Sequence, residues 1–150
     1  MRRLPIISVG VAGLLACACL DPLEPEVGPP LASSCVNQDS DEDVEVSYSS
    51  DIVEIFSERC LRCHTRDGEN PIGVEVGGLD LSTYSLVRAG GTIAGTEVVL
   101  PGSPCSSVLV QKVGASPPFG ARMPLNGPPY LSEPEQQRIR DWIAEGARDN

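Results

Sequence analysis

Histidine, lysine and aromatic residues are scarce in this sequence. Its 150 residues include one histidine, His64, and one lysine, Lys112, while its aromatic residues are two Phe, three Tyr and one Trp. A single histidine excludes every site that needs two imidazoles from the same chain. So few aromatic side chains also make a thin core for a folded unit of about 100 residues.

Positive charge is scarce as well. The formal charge is −10, and no Lys or Arg occurs between Arg3 and Arg59. Removal of an N-terminal stretch that contains Arg2 and Arg3 would take the charge from −10 to −12. This balance argues against nucleic acid and anionic lipid as partners. It permits basic protein partners, although acidity that merely keeps an exported protein soluble is the simpler explanation.

The N-terminal apolar run is too short to cross a membrane, which takes about 20 residues. Residues 4–16 are uncharged and mostly apolar, and they follow Arg2 and Arg3. A short apolar run behind a charged start is typical of an export signal. We therefore assign residues 1–16 to a signal peptide of the lipoprotein type.

The end of this signal resembles the lipobox of bacterial lipoproteins, because residues 14–17 read Leu-Leu-Ala-Cys. The resemblance implies that Cys17 becomes the mature N-terminus and carries a diacylglyceryl thioether. The protein would then be exported and anchored in a membrane, facing the periplasm or the cell surface. Ordinary cleavage after Ala18 is the alternative, and Cys19 has the poorer lipobox, with Ala16 at the place that favours Leu.

Residues 17–47 are interpreted as the lipid-anchor site followed by a linker. The stretch is rich in proline and acidic residues and holds no Lys or Arg. Such a composition cannot bury enough apolar surface to fold alone. We expect folding to begin near Tyr48, and a flexible tether would let the folded unit reach partners at some distance from the membrane.

The strongest pattern in the chain is Cys60-Leu61-Arg62-Cys63-His64, the attachment pattern of c-type haem. Two residues between the cysteines bring both thiols to one porphyrin edge within a helical turn. The adjoining imidazole is then placed to bind the iron. We predict one covalent haem c on Cys60 and Cys63, with His64 as proximal ligand. A buried porphyrin would also supply the apolar mass that the few aromatic residues do not.

Two rival interpretations of this pattern are weaker. A thioredoxin-like dithiol needs a βαβ context, and none is visible nearby. A zinc site needs four ligands, usually Cys and His. The chain has no second histidine, and its other cysteines are scattered at positions 17, 19, 35 and 105.

Four helices are predicted after the linker. The first has Asp51 as its cap and Glu54 closing the capping box, and it runs into the haem motif. Short helices over 82–88 and 106–113 follow, and then an irregular loop over 114–129. The last helix begins at Ser132 with a second capping box. Its predicted buried stripe comprises Ile139, Trp142, Ile143 and Ala147.

From about residue 48 to residue 150 the chain resembles a class I cytochrome c domain. Phe56, one turn before the first haem cysteine, and Trp142 in the last helix match aromatic positions of that family. Ile52 departs from it, since the family has a small residue there. The blocks 78–82 and 121–124 are similar to blocks that follow the haem motif in bacterial exported lipoproteins.

The resemblance implies an all-α, cytochrome c-like fold. Three to four short helices would wrap around one covalently bound haem, with long irregular loops between them. In the family a backbone carbonyl downstream of the histidine orients its ring. Pro71 lies closer in sequence than is usual for that role, so no acceptor is assigned. Leu79 and Leu81 are expected to contact the porphyrin or to serve as ordinary core residues.

Met123 is the predicted distal iron ligand. It falls in the block 121–124 that matches the family, and Met1, the other methionine, is lost with the signal. Lys112 is the weaker candidate because it is expected on a short helix. The competing interpretation is a methionine that fills a gap in the core. Arg122 beside it would pair with a haem propionate or remain a solvated surface charge.

Iron held by His64 and Met123 has no open coordination position, and a thioether ligand raises its reduction potential. The expected function is one-electron transfer to and from redox protein partners, rather than substrate turnover. A haem-based sensor or ligand-binding module is an alternative, because a labile distal ligand would open the iron. An electron-donating subunit of a larger oxidoreductase is another alternative.

Three cysteines remain after haem and lipid have taken theirs, namely Cys19, Cys35 and Cys105. Exported chains favour disulfides. We predict the pair Cys35–Cys105, which would fix the end of the linker to the folded domain. The two other pairings, and free thiols, stay open.

Overall fold

The computed structural model describes residues 35–150. The signal peptide assigned to residues 1–16, the lipidation site Cys17 and the spare cysteine Cys19 all lie outside the described residues.

The described residues form helices joined by irregular segments and no β-strand, so the expected all-α class is confirmed. A π-helical turn, Tyr48–Ile52, leads directly into the first α-helix. The α-helices are α1 (Val53–Arg59), α2 (Ile72–Glu75), α3 (Tyr84–Ala89), α4 (Val108–Val113) and α5 (Glu133–Ala144), and 3₁₀ turns occupy Thr96–Val98 and Pro104–Ser106. No helix within residues 35–150 is long and apolar enough to cross a membrane.

The first helical segment starts earlier than the sequence predicts. Helical backbone begins at Tyr48, and the hydroxyl of Ser47 accepts a hydrogen bond from the N–H of Ser50 at 3.2 Å. The prediction that Asp51 caps this helix was therefore wrong. Asp51 lies in the first turn instead, where its carboxylate accepts a hydrogen bond from the N–H of Ser47 at 2.9 Å.

The last helix begins as predicted. The hydroxyl of Ser132 accepts from the N–H of Glu135, and the Glu135 carboxylate accepts from the N–H of Ser132, which completes the capping box. Trp142 is fully buried, and its ring lies 5.5 Å from that of Tyr48, centroid to centroid. Trp142 of the last helix thus packs on the first helical segment. The most deeply buried side chains of the core include Ile52, Phe56, Val87, Ile139, Trp142 and Ile143.

The middle of the chain differs from the prediction in detail. The segment after the haem motif contains a short helix, α2, that is not among the four predicted from the sequence. Helix α4 begins at Val108, because the extended backbone of Ser107 separates it from the 3₁₀ turn before it. Five α-helices are therefore present in the described part of the chain, where three to four were expected. Residues 114–132 contain no helix, as the sequence predicts.

Residues 35–47, here called the acidic strap, pack on the folded unit, although the sequence assigned them to a linker. A disulfide joins Cys35 to Cys105, with the two Cα atoms 5.7 Å apart. The N–H and hydroxyl of Ser40 donate to the Asp141 carboxylate of α5, at 2.9 and 2.8 Å. Val46 is buried. Hydrogen bonds to α5 thus help to fix a segment whose own sequence shows no apolar pattern.

Candidate functional site

The five-residue motif continues the helical path of α1. The N–H of Cys60 donates to the carbonyl of Phe56 at 2.8 Å, and the carbonyl of Cys60 accepts from the N–H groups of Cys63 and His64 at 3.0 and 2.9 Å. This turn brings both thiols and the imidazole to one wall of a cavity. Neither cysteine of the motif forms a disulfide.

The cavity has a volume of about 390 Å³, which lies within the usual range of about 300–1,000 Å³ for small-molecule and cofactor sites. Its wall is mostly apolar, since helices α2 and α4 and the loop after α4 turn aliphatic side chains toward it. The apolar lining includes Ile72, Val76, Leu79, Leu81, Ile93, Val98, Val108, Leu109, Val113, Phe119, Met123 and Leu125. An apolar chamber with two thiols and an imidazole on its wall fits the chemistry of a porphyrin attached by thioethers.

The ring of His64 is oriented by the backbone carbonyl of Leu79, which lies 3.0 Å from Nδ1. A carbonyl oxygen only accepts hydrogen bonds, so Nδ1 must carry the proton. The lone pair is then on Nε2, which is the tautomer that a metal ligand needs. Sequence reasoning left this acceptor unassigned, because Leu79 reaches His64 only through the turn made by α2.

Gly73 is a functional residue that sequence reasoning missed. A Cβ atom at this position would lie 2.5 Å from Nδ1 of His64 and 2.7 Å from the carbonyl oxygen of Cys63. The N–H of Gly73 also donates to the carbonyl of Cys63 at 2.9 Å, and its own carbonyl accepts from the N–H of Leu79 at 3.1 Å. The imidazole therefore lies directly against the backbone of α2, where no side chain fits.

The protonation of Cys60 argues against a reactive dithiol. Burial raises the pKa of Cys60 to about 12, against the opposing effect of the Arg59 guanidinium. Redox-active cysteines have lowered pKa values and carry thiolates. The part of the chain from Cys35 onward also contains no group of three or more His, Cys, Asp and Glu side chains that could hold a metal ion. Both rival interpretations of the motif thus lack support.

Met123 lines the same cavity as His64. Its side chain is partly buried against the core. Its N–H donates to the carbonyl of Lys112 at 2.8 Å. The structure therefore brings together all four residues that the sequence assigns to haem, and it places the Cys35–Cys105 disulfide elsewhere.

Two cations beside Met123 are engaged by the protein itself. The ammonium of Lys112 donates to the carbonyls of Phe119 and Ala121, and loss of hydration lowers its pKa. Nε of Arg122 donates to the carbonyl of Val113 at 2.9 Å, and its guanidinium lies 4.2 Å from the centroid of the Tyr130 ring.

Comparison of the chain with models of protein families, with curated proteins and with solved structures found no match.

Proposed function

We propose that residues 48–150 form a monohaem c-type cytochrome domain, similar to class I cytochromes c, that carries single electrons between redox proteins. The observation that carries the proposal is one apolar cavity whose wall holds Cys60, Cys63, His64 and Met123. The Leu79 carbonyl, 3.0 Å from Nδ1 of His64, favours the tautomer that leaves Nε2 free to bind iron. When bound, haem supplies the one-electron reduction and reoxidation of its iron.

Each residue of the site has a separate task. The thiols of Cys60 and Cys63 would bind the porphyrin covalently, which prevents its loss outside the cytoplasm. His64 would hold the iron through Nε2 without a change of orientation, because backbone groups fix its ring on two sides. Met123 would provide the thioether, a soft ligand that raises the reduction potential. The apolar wall excludes water from the metal and limits reorganisation of solvent.

Replacement of the distal ligand tests the proposal. Met123→Ala should abolish the weak long-wavelength ferric thioether–iron band, lower the reduction potential and let the ferrous protein bind carbon monoxide at neutral pH. Leu125→Ala is the matched control, since Leu125 belongs to the same loop, lines the same cavity and is half exposed. An unchanged spectrum and potential in Met123→Ala would remove the main support for an electron carrier. Carbon monoxide binding by the wild-type protein would favour the ligand-binding alternative.

The covalent attachment has its own test. After denaturation and extraction with acidified organic solvent, the haem should stay on the polypeptide of the wild-type protein. It should be extracted from the double variant Cys60→Ala/Cys63→Ala. Haem that leaves the wild-type polypeptide would disprove the thioether bonds.

We further propose that the chain is exported and anchored through a lipidated Cys17. Two or three acyl chains, at about 0.8 kcal/mol per buried CH₂, hold a protein on a membrane, where a single chain does not. Cys17→Ser should leave the protein soluble or unprocessed, whereas Cys19→Ser should fractionate with membranes as the wild type does. Wild-type protein found wholly in the soluble fraction would contradict the anchor.

A further inference from the structure

We propose that Lys112 is a positioning residue that holds the loop of Met123 against helix α4, and so keeps the Met123 thioether at the cavity. The inference rests on the proposed function, because it concerns the distal side of the same site. The side chain of Lys112 binds the loop before Met123, and its backbone carbonyl binds Met123 itself.

The side-chain contacts join Lys112 to the segment 119–121. Its Nζ donates to the carbonyl of Phe119 at 2.7 Å and to that of Ala121, and it lies 4.9 Å from the centroid of the Phe119 ring. Gly120 has a positive φ of 55°, the left-handed backbone that glycine adopts without strain. The ammonium thus bonds to the carbonyls on both sides of a turn that would otherwise face solvent.

The backbone contact joins Lys112 to Met123 directly. The carbonyl of Lys112, in the last turn of α4, accepts the N–H of Met123 at 2.8 Å. Carbonyls in the last turn of a helix have no partner within the helix. The loop therefore completes the end of α4, and the ammonium of the same residue binds the carbonyls of Phe119 and Ala121.

Few other hydrogen bonds fix residues 115–123 of this loop. Residues 114–132 contain no helix, and the next link between the loop and α4 is the bond from Nε of Arg122 to the carbonyl of Val113 at 2.9 Å. A hydrogen bond from an ammonium is stronger than one between neutral groups. Loss of the ammonium should free the segment 119–123 and let the thioether leave the iron for part of the time.

The experiment compares Lys112→Leu with Gln111→Leu in the haem-loaded protein. Leucine removes the donor without offering the iron a new ligand. Gln111 is the matched control because its side chain also donates to a backbone carbonyl, that of Cys105, at 2.8 Å, and does not line the cavity of Met123. We expect the Met123 amide to exchange its hydrogen about tenfold faster in Lys112→Leu. We also expect the ferrous variant to bind carbon monoxide at neutral pH, while Gln111→Leu behaves as the wild type.

A second measurement avoids any dependence on folding of the variant. Lys112 is the only lysine of the chain, so acetylation of the folded protein neutralises this one side chain, and the modified peptide identifies the site by mass. The acetylated protein should bind carbon monoxide as the variant does. Lys112→Arg, which keeps a cationic donor, should restore slow exchange at Met123.

The outcomes separate this inference from the proposed function. The positioning role is wrong if carbon monoxide binding and hydrogen exchange at the Met123 amide both stay unchanged in Lys112→Leu and after acetylation. This conclusion holds even when Met123→Ala opens the iron. If Met123→Ala fails to open the iron, the proposed distal ligand is wrong. Exchange at the Met123 amide would still decide whether Lys112 holds the loop.

Discussion

At the scale of single residues, backbone groups fix the imidazole of His64, and its ring occupies space that a side chain at a neighbouring position would fill. Its Nδ1 donates to the carbonyl of Leu79, and Gly73 leaves the space that its ring occupies. The N–H of Leu81 also donates to the carbonyl of His64 at 2.7 Å. Because no partner side chain is involved, the orientation of the ring depends on how closely α2 approaches the haem motif.

The variant Gly73→Ala should disturb this approach. The added Cβ would lie 2.5 Å from Nδ1 of His64 and 2.7 Å from the carbonyl oxygen of Cys63, so the ring or the backbone must move. Overpacking of this kind costs about 1–3 kcal/mol. We expect a lower melting temperature and, in the haem-loaded protein, a changed reduction potential. The two measurements together distinguish a change at the iron from a general loss of stability.

Gly114→Ala is the matched control for this variant. A Cβ on Gly114 would lie 3.4 Å from the nearest atom, which is ordinary contact, and the backbone φ of −70° suits alanine. This variant should keep the potential of the wild type. A potential that shifts equally in both variants, or in neither, would show that Gly73 has no special relation to His64.

The proposed haem ligands can be picked from the sequence at this scale, whereas the groups that support them cannot. Cys60, Cys63 and His64 are adjacent in the chain, so one local pattern carries the prediction. The Leu79 carbonyl and the space at Gly73 arise only when α2 folds back on the motif. Every residue has a backbone carbonyl, so the sequence does not show which one will accept the hydrogen bond from His64.

At the scale of helices, Glu135 joins the start of α5 to the end of α1. Its carboxylate accepts from Nε of Arg59 at 2.7 Å and from the N–H and hydroxyl of Ser132. Arg59 directly precedes the first haem cysteine. Desolvation by burial raises the pKa of Glu135, but these hydrogen bonds outweigh it and lower the pKa to about 2.

This low pKa predicts a loss of stability in acid. A carboxyl group whose pKa is lower in the folded state stabilises the fold above its ordinary pKa of 4.5 and ceases to do so as the pH falls toward 2. Unfolding by urea should therefore show a stability that decreases from pH 4.5 to pH 2. In Glu135→Gln this decrease should be smaller, and the variant should be less stable than the wild type at pH 7.

Glu145, which directly follows the last residue of α5, has a pKa that is shifted in the opposite direction. Its burial raises its pKa, as do the carboxylates of Asp39, Glu45 and Asp141, against the hydrogen bond from the N–H of Val46. Its ionisation is therefore unfavourable in the folded protein, and stability is lost as the pH rises through its raised pKa. Glu145→Gln should remove that loss of stability. The stability of this variant should still decrease below pH 4.5, as it does in the wild type. If stability depended on pH in the same way in Glu135→Gln and Glu145→Gln, the pKa shifts assigned to Glu135 and Glu145 would both be wrong.

Helix positions were predictable where capping residues and apolar spacing agree. Ser132 and Glu135 mark the start of α5, and the buried stripe with Trp142 follows at helical spacing. At the first helix, Ser47 and Asp51 both suit a cap, and local sequence does not show that helical backbone already begins at Tyr48. The deciding contacts come from the far end of the chain, because Tyr48 packs on Trp142 and its N–H donates to the side chain of Asn150 at 2.9 Å.

At the scale of the whole molecule, the acidic strap closes the described chain into one unit. Glu45 pairs with Arg148 at 2.9 Å, Val46 donates its N–H to the Glu145 carboxylate at 3.1 and 3.0 Å, and a disulfide fixes Cys35. Composition alone predicted a linker here, because acidic and proline-rich segments bury little apolar surface. The strap is fixed by hydrogen bonds, ion pairs and a disulfide, none of which a hydropathy pattern reveals.

The Cys35–Cys105 disulfide should therefore account for a large share of the stability of this unit. It closes a sequence separation of 70 residues, and the chain-entropy model assigns about 4 kcal/mol to a loop of that size, less any strain. Cys35→Ser/Cys105→Ser should lower the free energy of unfolding by up to that amount. Its Val46 amide should also exchange faster, since the strap would lose its covalent link to the rest of the unit. The mature wild-type protein, denatured without reductant, should gain two titratable thiols when reductant is added, and so should a Cys19→Ser variant. Equal thiol counts with and without reductant would disprove the bridge, because the proposed haem thioethers at Cys60 and Cys63 would not respond to reductant.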